Sequence, residues 1–144
     1  MTDIQDLQNL IGETNGKSGF NEYADIPDEY KNLYIGNKLM LVVSELTEAH
    51  DEVRTGHAPT ETYYPEAPLP DSLVHEAGLD LARELIDKEN EGKPRKPEGF
   101  PSEAADAVIR IFGIAYELGV DLEAIIREKI EYNATRPYKH GKKF

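Results

Sequence analysis

The stretch that most constrains this chain is residues 104 to 115. It carries Ala104, Ala105, Ala107, Val108, Ile109, Ile111, Phe112, Ile114 and Ala115, which leaves a helix apolar on nearly every side. Such a helix has to be covered on every side. In a chain of 144 residues that demands a central place in a bundle, or a helix shared with a second copy. Ser102 is expected to cap its start and Gly119 its end.

The remaining segments fit the same class. Ile4, Leu7, Leu10 and Ile11 have helical spacing, and residues 12 to 21 collect Gly, Asn and Ser in the manner of a loop. Residues 28 to about 54 place Leu39, Val42, Leu46, Ala49 and Val53 at steps of three and four, which predicts one core-facing stripe. Residues 57 to 70 hold four prolines and the pair Tyr63-Tyr64, a composition that forbids regular helix and suits a surface loop or lid. The tyrosines read as anchors of that loop. One helix is expected from Asp71 to Ile86, then an irregular run with three prolines over residues 92 to 101. A last helix, capped by Asp121, carries Leu122, Ile125, Ile126 and Ile130 and should stop near Pro137. No segment sustains period-two alternation, so the expected fold is all-α: a helical bundle, one domain over residues 1 to 144, with a lid-like insertion at about 55 to 101 and a core completed by homo-oligomerisation.

Charge narrows the function. The net charge of -12 repels a nucleic-acid backbone and argues against DNA or RNA as partner. From residue 127 onward the balance reverses, with six Lys or Arg against two Glu. An acidic body with a basic end suits a small anion whose charge is first offset by a divalent cation, although a solvated acidic surface with a frayed basic end has the same composition. No apolar run approaches a membrane span, and the N-terminus lacks the layout of a signal peptide, so no membrane partner and a cytoplasmic location are expected. With no cysteine, a metal must be held by oxygen or imidazole.

The oxygen donors come in two pairs. Glu45 and Glu48 lie three apart on a predicted helix, with Glu52 one turn further, and Glu103 and Asp106 repeat the spacing at the start of the most apolar helix. Like charges at this spacing repel, and a bound cation relieves them. Each pair also has an ordinary explanation: Glu-x-x-Glu is common on solvated helices, acids favour the first helical turn, and Asp106 with Arg110 is an i,i+4 ion pair. Four carboxylates on two core helices nevertheless match what a hard cation prefers. On the last helix Lys129, Asn133 and Arg136 fall at i, i+4 and i+7, a face suited to phosphate oxygens and a base or sugar edge. Other signals are weaker. The Gly12 to Ser18 segment has one residue too few for a phosphate loop, His75-Glu76 lacks a second histidine, His50-Asp51 lacks an earlier one, and no serine-nucleophile motif is present.

Taken together, KLMLVVSELTEAHDEVR from residue 38 and KPEGFPSEAADAVIRIFGIAYELGVDLEAIIREKIEYNATRPYKHGK from residue 96 resemble the MazG-like all-α nucleoside triphosphate pyrophosphohydrolases. The resemblance covers somewhat under half the chain. It implies a magnesium site, with manganese as the substitute ion, on Glu45, Glu48, Glu103 and Asp106. It further implies hydrolysis of (deoxy)nucleoside triphosphates to the monophosphate and pyrophosphate, and a homodimer or homotetramer in a bacterial or phage-infected cell. Glu48 is the favoured base for the attacking water, with Glu45 and Glu52 completing the catalytic acids. Lys129, Asn133, Arg136, Tyr138 and Lys139, with His140 beyond them, would contact substrate. Two features depart from the pattern: the segment between Glu48 and Glu103 is longer than in minimal members, and Ser44 stands where some relatives carry another acid. The competing readings are a phosphoribosyl-ATP pyrophosphohydrolase-like enzyme and a non-catalytic dimeric helical module. A di-iron bundle would need Glu-x-x-His pairs, which are absent.

Overall fold

The structure, a computed structural model, describes residues 3 to 141, apart from the side chain of His140. The His140 side chain and Lys142 of the basic tail therefore lie outside the described residues. Among the described residues there are six α-helices: α1 (Ile4–Lys17), α2 (Asp28–Arg54), α3 (Asp71–Ala77), α4 (Leu79–Glu89), α5 (Phe100–Glu117) and α6 (Leu122–Ala134). Among the described residues there is no β-strand, only an isolated antiparallel bridge between Tyr63 and Glu98. The all-helical expectation holds. No described helix is long and apolar enough to cross a membrane.

The chain divides into two compact units, residues 1 to 46 with 105 to 144, and residues 47 to 104. In the first unit α1 packs on α6: the Gln5 N–H donates to Glu123 Oε2 at 3.1 Å, and Gln8 Nε2 donates to the Val120 carbonyl at 2.8 Å. Asp121 caps α6 as expected, its carboxylate accepting from the Ala124 N–H at 2.9 Å. Gly119 follows α5 with φ +64°, where the Val120 and Gly119 N–H groups bond back to Ala115 and Tyr116 in a Schellman ending. A buried ionic hub fixes the chain after α1. Glu117 accepts from Lys38 Nζ at 2.5 Å, from the Tyr34 hydroxyl at 2.9 Å and from the Tyr23 N–H at 3.1 Å. Burial opposes ionisation of Glu117, but these donors hold its carboxyl below the usual range. In the second unit α3 and α4 form a helical pair, and Arg83 of α4 donates to the Ala67 carbonyl at 2.9 Å, tying down the proline-rich segment.

Three expectations need correction. Helix α1 continues through Gly12 and Asn15 to Lys17 where a loop was predicted, because the glycine is used for close approach rather than for a turn. A Cβ on Gly12 would collide with the Tyr116 ring of α5. Gly12→Ala should therefore destabilise the protein by about 1–3 kcal/mol despite the better helix propensity of alanine. Thermal melts should show a lowered midpoint in the wild-type background and none when Tyr116 is also replaced by Ala; an unchanged or raised midpoint in the single variant would contradict the close approach. The single helix expected over 71 to 86 is two helices. Gly78, at φ +81° and ψ 163°, closes α3 with its N–H on Val74 and opens α4 with its carbonyl. Finally, Ser102 lies inside α5 rather than capping it, and its hydroxyl donates to the Pro97 carbonyl at 2.9 Å.

Candidate metal and substrate site

Helix α2 turns a different face inward from the one its aliphatic spacing predicts. Leu39, Leu46 and Val53, expected in the core, are 50%, 54% and 43% exposed. The inward stripe is Lys38, Val42, Glu45, Ala49 and Glu52, at steps of four and three. This face is rich in charge, and each charged group on it has a partner. Lys38 meets Glu117, Glu45 meets Arg110, and Glu52 meets His57 and Tyr63. Paired charges can occupy the inside of a helix that alternate residues would otherwise fill with leucine. The same rotation explains why Glu45 sits within the buried stripe, at 6% exposure, instead of at its rim.

Within the first unit, Glu45 of α2 and Asp106 of α5 have carboxylate oxygens within 4.8 Å of each other. Arg110, one turn past Asp106, donates from Nε to Glu45 Oε1 at 2.5 Å. The i,i+4 bond from Arg110 to Asp106 that spacing alone suggests gives way to this bond between helices. These groups line a cleft of about 380 Å³, together with Asn15, Phe20, Lys38 and Gly113.

Within the second unit, α2 also ends in a Schellman motif. Gly56 at φ +100° lets its N–H reach Val53 and the His57 N–H reach Glu52. The motif lays His57 over Glu52, and where an apolar contact is common an imidazole instead meets a carboxylate, His57 Nδ1 to Glu52 Oε2 at 2.5 Å. The Tyr63 hydroxyl donates to both oxygens of Glu52, at 3.0 and 3.2 Å, and its ring stands edge-on to His57. Glu52 therefore anchors the loop that follows α2, and its oxygens are engaged in doing so. Tyr63 exchanges backbone hydrogen bonds with Glu98 at 3.1 and 2.9 Å, which brings the Lys96–Glu98 ion pair beside the start of α5.

Glu103, in the first turn of α5, is 2% exposed, and its Oε2 has no hydrogen-bond partner among the described residues. Burial, then a hydrogen bond with Glu98 and the nearby charge of Glu48, push its carboxyl up to about 7. Lys96 opposes that rise and holds Glu98 below its ordinary value. Glu48 itself is exposed, on α2 beside the inward stripe.

The predicted substrate residues are exposed near the chain's end. Lys129 and Asn133 lie on α6, but the helix stops at Ala134, so Arg136 does not share their helical face. Pro137 disfavours helical backbone in the residue before it. Tyr138 and Lys139 fall in a 3₁₀ turn, Tyr138–Gly141, with Lys139 at φ +51°. None of the five forms a hydrogen bond or ion pair with the acids among the described residues. Residues that spacing did not single out, Lys38, Asn15 and Phe20, line the cleft with Glu45 and Asp106. Comparison with family models, with curated proteins and with solved structures returns no match.

Proposed function

We propose that the chain is a magnesium-dependent nucleoside triphosphate pyrophosphohydrolase of MazG-like type. The observation that carries this reading is the approach of Glu45 and Asp106, acids from two different helices whose oxygens lie within 4.8 Å, with one arginine beside them. The donor set fits a hard divalent ion: both acids are oxygen ligands, each has a second acid one helical turn away, and the buried Oε2 of Glu103 has no partner. Glu45, Glu48, Glu103 and Asp106 would hold the ion. When bound, magnesium supplies the positive charge that lets a polyphosphate enter an acidic site and makes a water more acidic.

The remaining work falls to the protein's own groups. Glu48 accepts the proton of the attacking water, whose oxygen forms the new bond to the α-phosphorus. The bond from that phosphorus to the bridging oxygen breaks, and pyrophosphate leaves with the electron pair. Arg110 supplies a guanidinium beside Glu45 in the cleft, and Lys129, Asn133, Arg136, Tyr138 and Lys139 meet the polyphosphate and sugar. A second copy would cover Leu39, Leu46 and Val53, so the active unit is a homodimer or homotetramer.

A panel of ribo- and deoxyribonucleoside triphosphates with magnesium, read by separate assays for pyrophosphate and orthophosphate, tests the proposal. Pyrophosphate and monophosphate in equal amounts are expected. With phosphoribosyl-ATP added to the panel, hydrolysis confined to it would assign the chain to that related activity. No hydrolysis of any nucleotide would leave a non-catalytic helical module.

A further inference from the structure

We infer that Asn15 and Phe20 form the nucleobase reader of the cleft: the Asn15 carboxamide meets the hydrogen-bonding edge of the base and the Phe20 ring its face. This inference rests on the hydrolase proposal for the acids of the same cleft. Both residues are placed by one local motif. Helix α1 ends in a Schellman turn at Gly19, with the Gly19 N–H on Gly16 at 3.1 Å and the Phe20 N–H on the Asn15 carbonyl at 2.9 Å. The turn brings residue 20 back over residue 15, and an amide and an aromatic ring both line the cleft. Lys38 Nζ fixes the arrangement by donating to the Phe20 carbonyl at 2.8 Å while paired with Glu117.

Three features separate this pair from ordinary packing. The Asn15 amide makes no hydrogen bond among the described residues, although it is half-buried in the cleft. It lies against Gly113 of α5, where an added Cβ would come within 2.7 Å of Asn15 Nδ2, so a glycine keeps the space the amide occupies. Phe20 is 64% exposed, a large apolar residue left mostly to solvent. A carboxamide that can donate and accept, with an exposed aromatic residue, matches a heterocycle with donors and acceptors on its edge. The aliphatic lining of the cleft, with Leu41, Ile109 and Ile114, suits the apolar faces of a base, and its volume of about 380 Å³ lies within the range of small-ligand pockets. Glu45 and Asp106 line the same cleft, as a nucleotide with its phosphates toward the acids requires.

The test uses the full chain with magnesium and a panel of four deoxynucleoside triphosphates. Asn15→Leu, similar in size but without hydrogen-bonding groups, should reduce the ratio of kcat/KM between best and worst base by about tenfold, acting on KM more than on kcat. Phe20→Leu should raise KM for every base by about tenfold and leave their ranking in place. Circular dichroism confirms that both variants fold. A second readout is independent of hydrolysis: free nucleosides, added to wild-type protein without metal, should shift the NMR signals of the Asn15 side-chain amide and the Gly113 amide. Unchanged ranking and KM in both variants with hydrolysis intact, or nucleoside shifts centred elsewhere, overturns the inference and spares the hydrolase. Shifts at Asn15 and Gly113 with no hydrolysis of any nucleotide support the reader and overturn the hydrolase, and neither signal overturns both.

Discussion

Asp106→Asn and Glu48→Gln should each lower pyrophosphate release by at least about 100-fold, equivalent to roughly 2.7 kcal/mol of transition-state stabilisation. Asp106→Asn is the cleaner probe. It keeps the shape of a half-buried side chain and leaves the Arg110–Glu45 bond in place, so it removes one charged oxygen at little structural cost. Glu45→Gln should cost as much activity and some stability as well, since Arg110 would lose a charged partner that is almost wholly buried. Glu52→Gln tests a different role. Its carboxylate is engaged by His57 and Tyr63, so the expected effect is a loosened loop after α2 and a smaller loss of turnover. Steady-state kinetics with a magnesium titration distinguish these outcomes: metal-site variants should need more magnesium for half-maximal rate, and Glu52→Gln should not. Wild-type turnover in both Asp106→Asn and Glu48→Gln would remove the paired acids from the chemistry.

The sequence makes the helix class, the cap at Asp121, the stop at Gly119 and the two acid pairs legible, because each depends on local spacing or on a residue with one strong backbone preference. The orientation of α2 is not legible in the same way. Leu39, Val42, Leu46, Ala49 and Val53 form a better apolar stripe than Lys38, Val42, Glu45, Ala49 and Glu52, and pattern reasoning selects the first. The structure selects the second because Lys38 and Glu45 find counter-groups far along the chain, at Glu117 and Arg110, and Glu52 finds His57 and Tyr63 in the loop that follows α2. Pairing of that kind depends on tertiary neighbours and leaves no periodic trace. Gly12 and Gly78 show the same limit from the other side. One glycine continues a helix under a tyrosine ring and the other breaks one, and nothing local separates them. Asn15 was hidden by the loop expectation itself, since a residue assigned to a loop has no predicted face.

Glu103 ties stability to pH and, under the proposed function, to magnesium. Its carboxyl titrates near 7 in the folded chain and near 4.5 when unfolded, so between those values the folded protein holds a proton that the unfolded chain has lost. Stability from this group is fully present below about 4.5 and falls as pH rises to about 7, after which the loss is complete, on the order of 3 kcal/mol at most. Glu98 and Glu117 have lowered values and are already ionised through this window, so they do not supply the slope. Melts at pH 5, 6, 7 and 8 without divalent ion should show wild type losing stability relative to Glu103→Gln as pH rises, which cancels the contribution of the histidines common to both. Magnesium favours the ionised carboxylate, so it should stabilise wild type much more at pH 8 than at pH 5 and do little for Glu103→Gln. The same pH dependence in both proteins would show that Glu103 is not the titrating group, and equal stabilisation of both by magnesium would place the ion away from it.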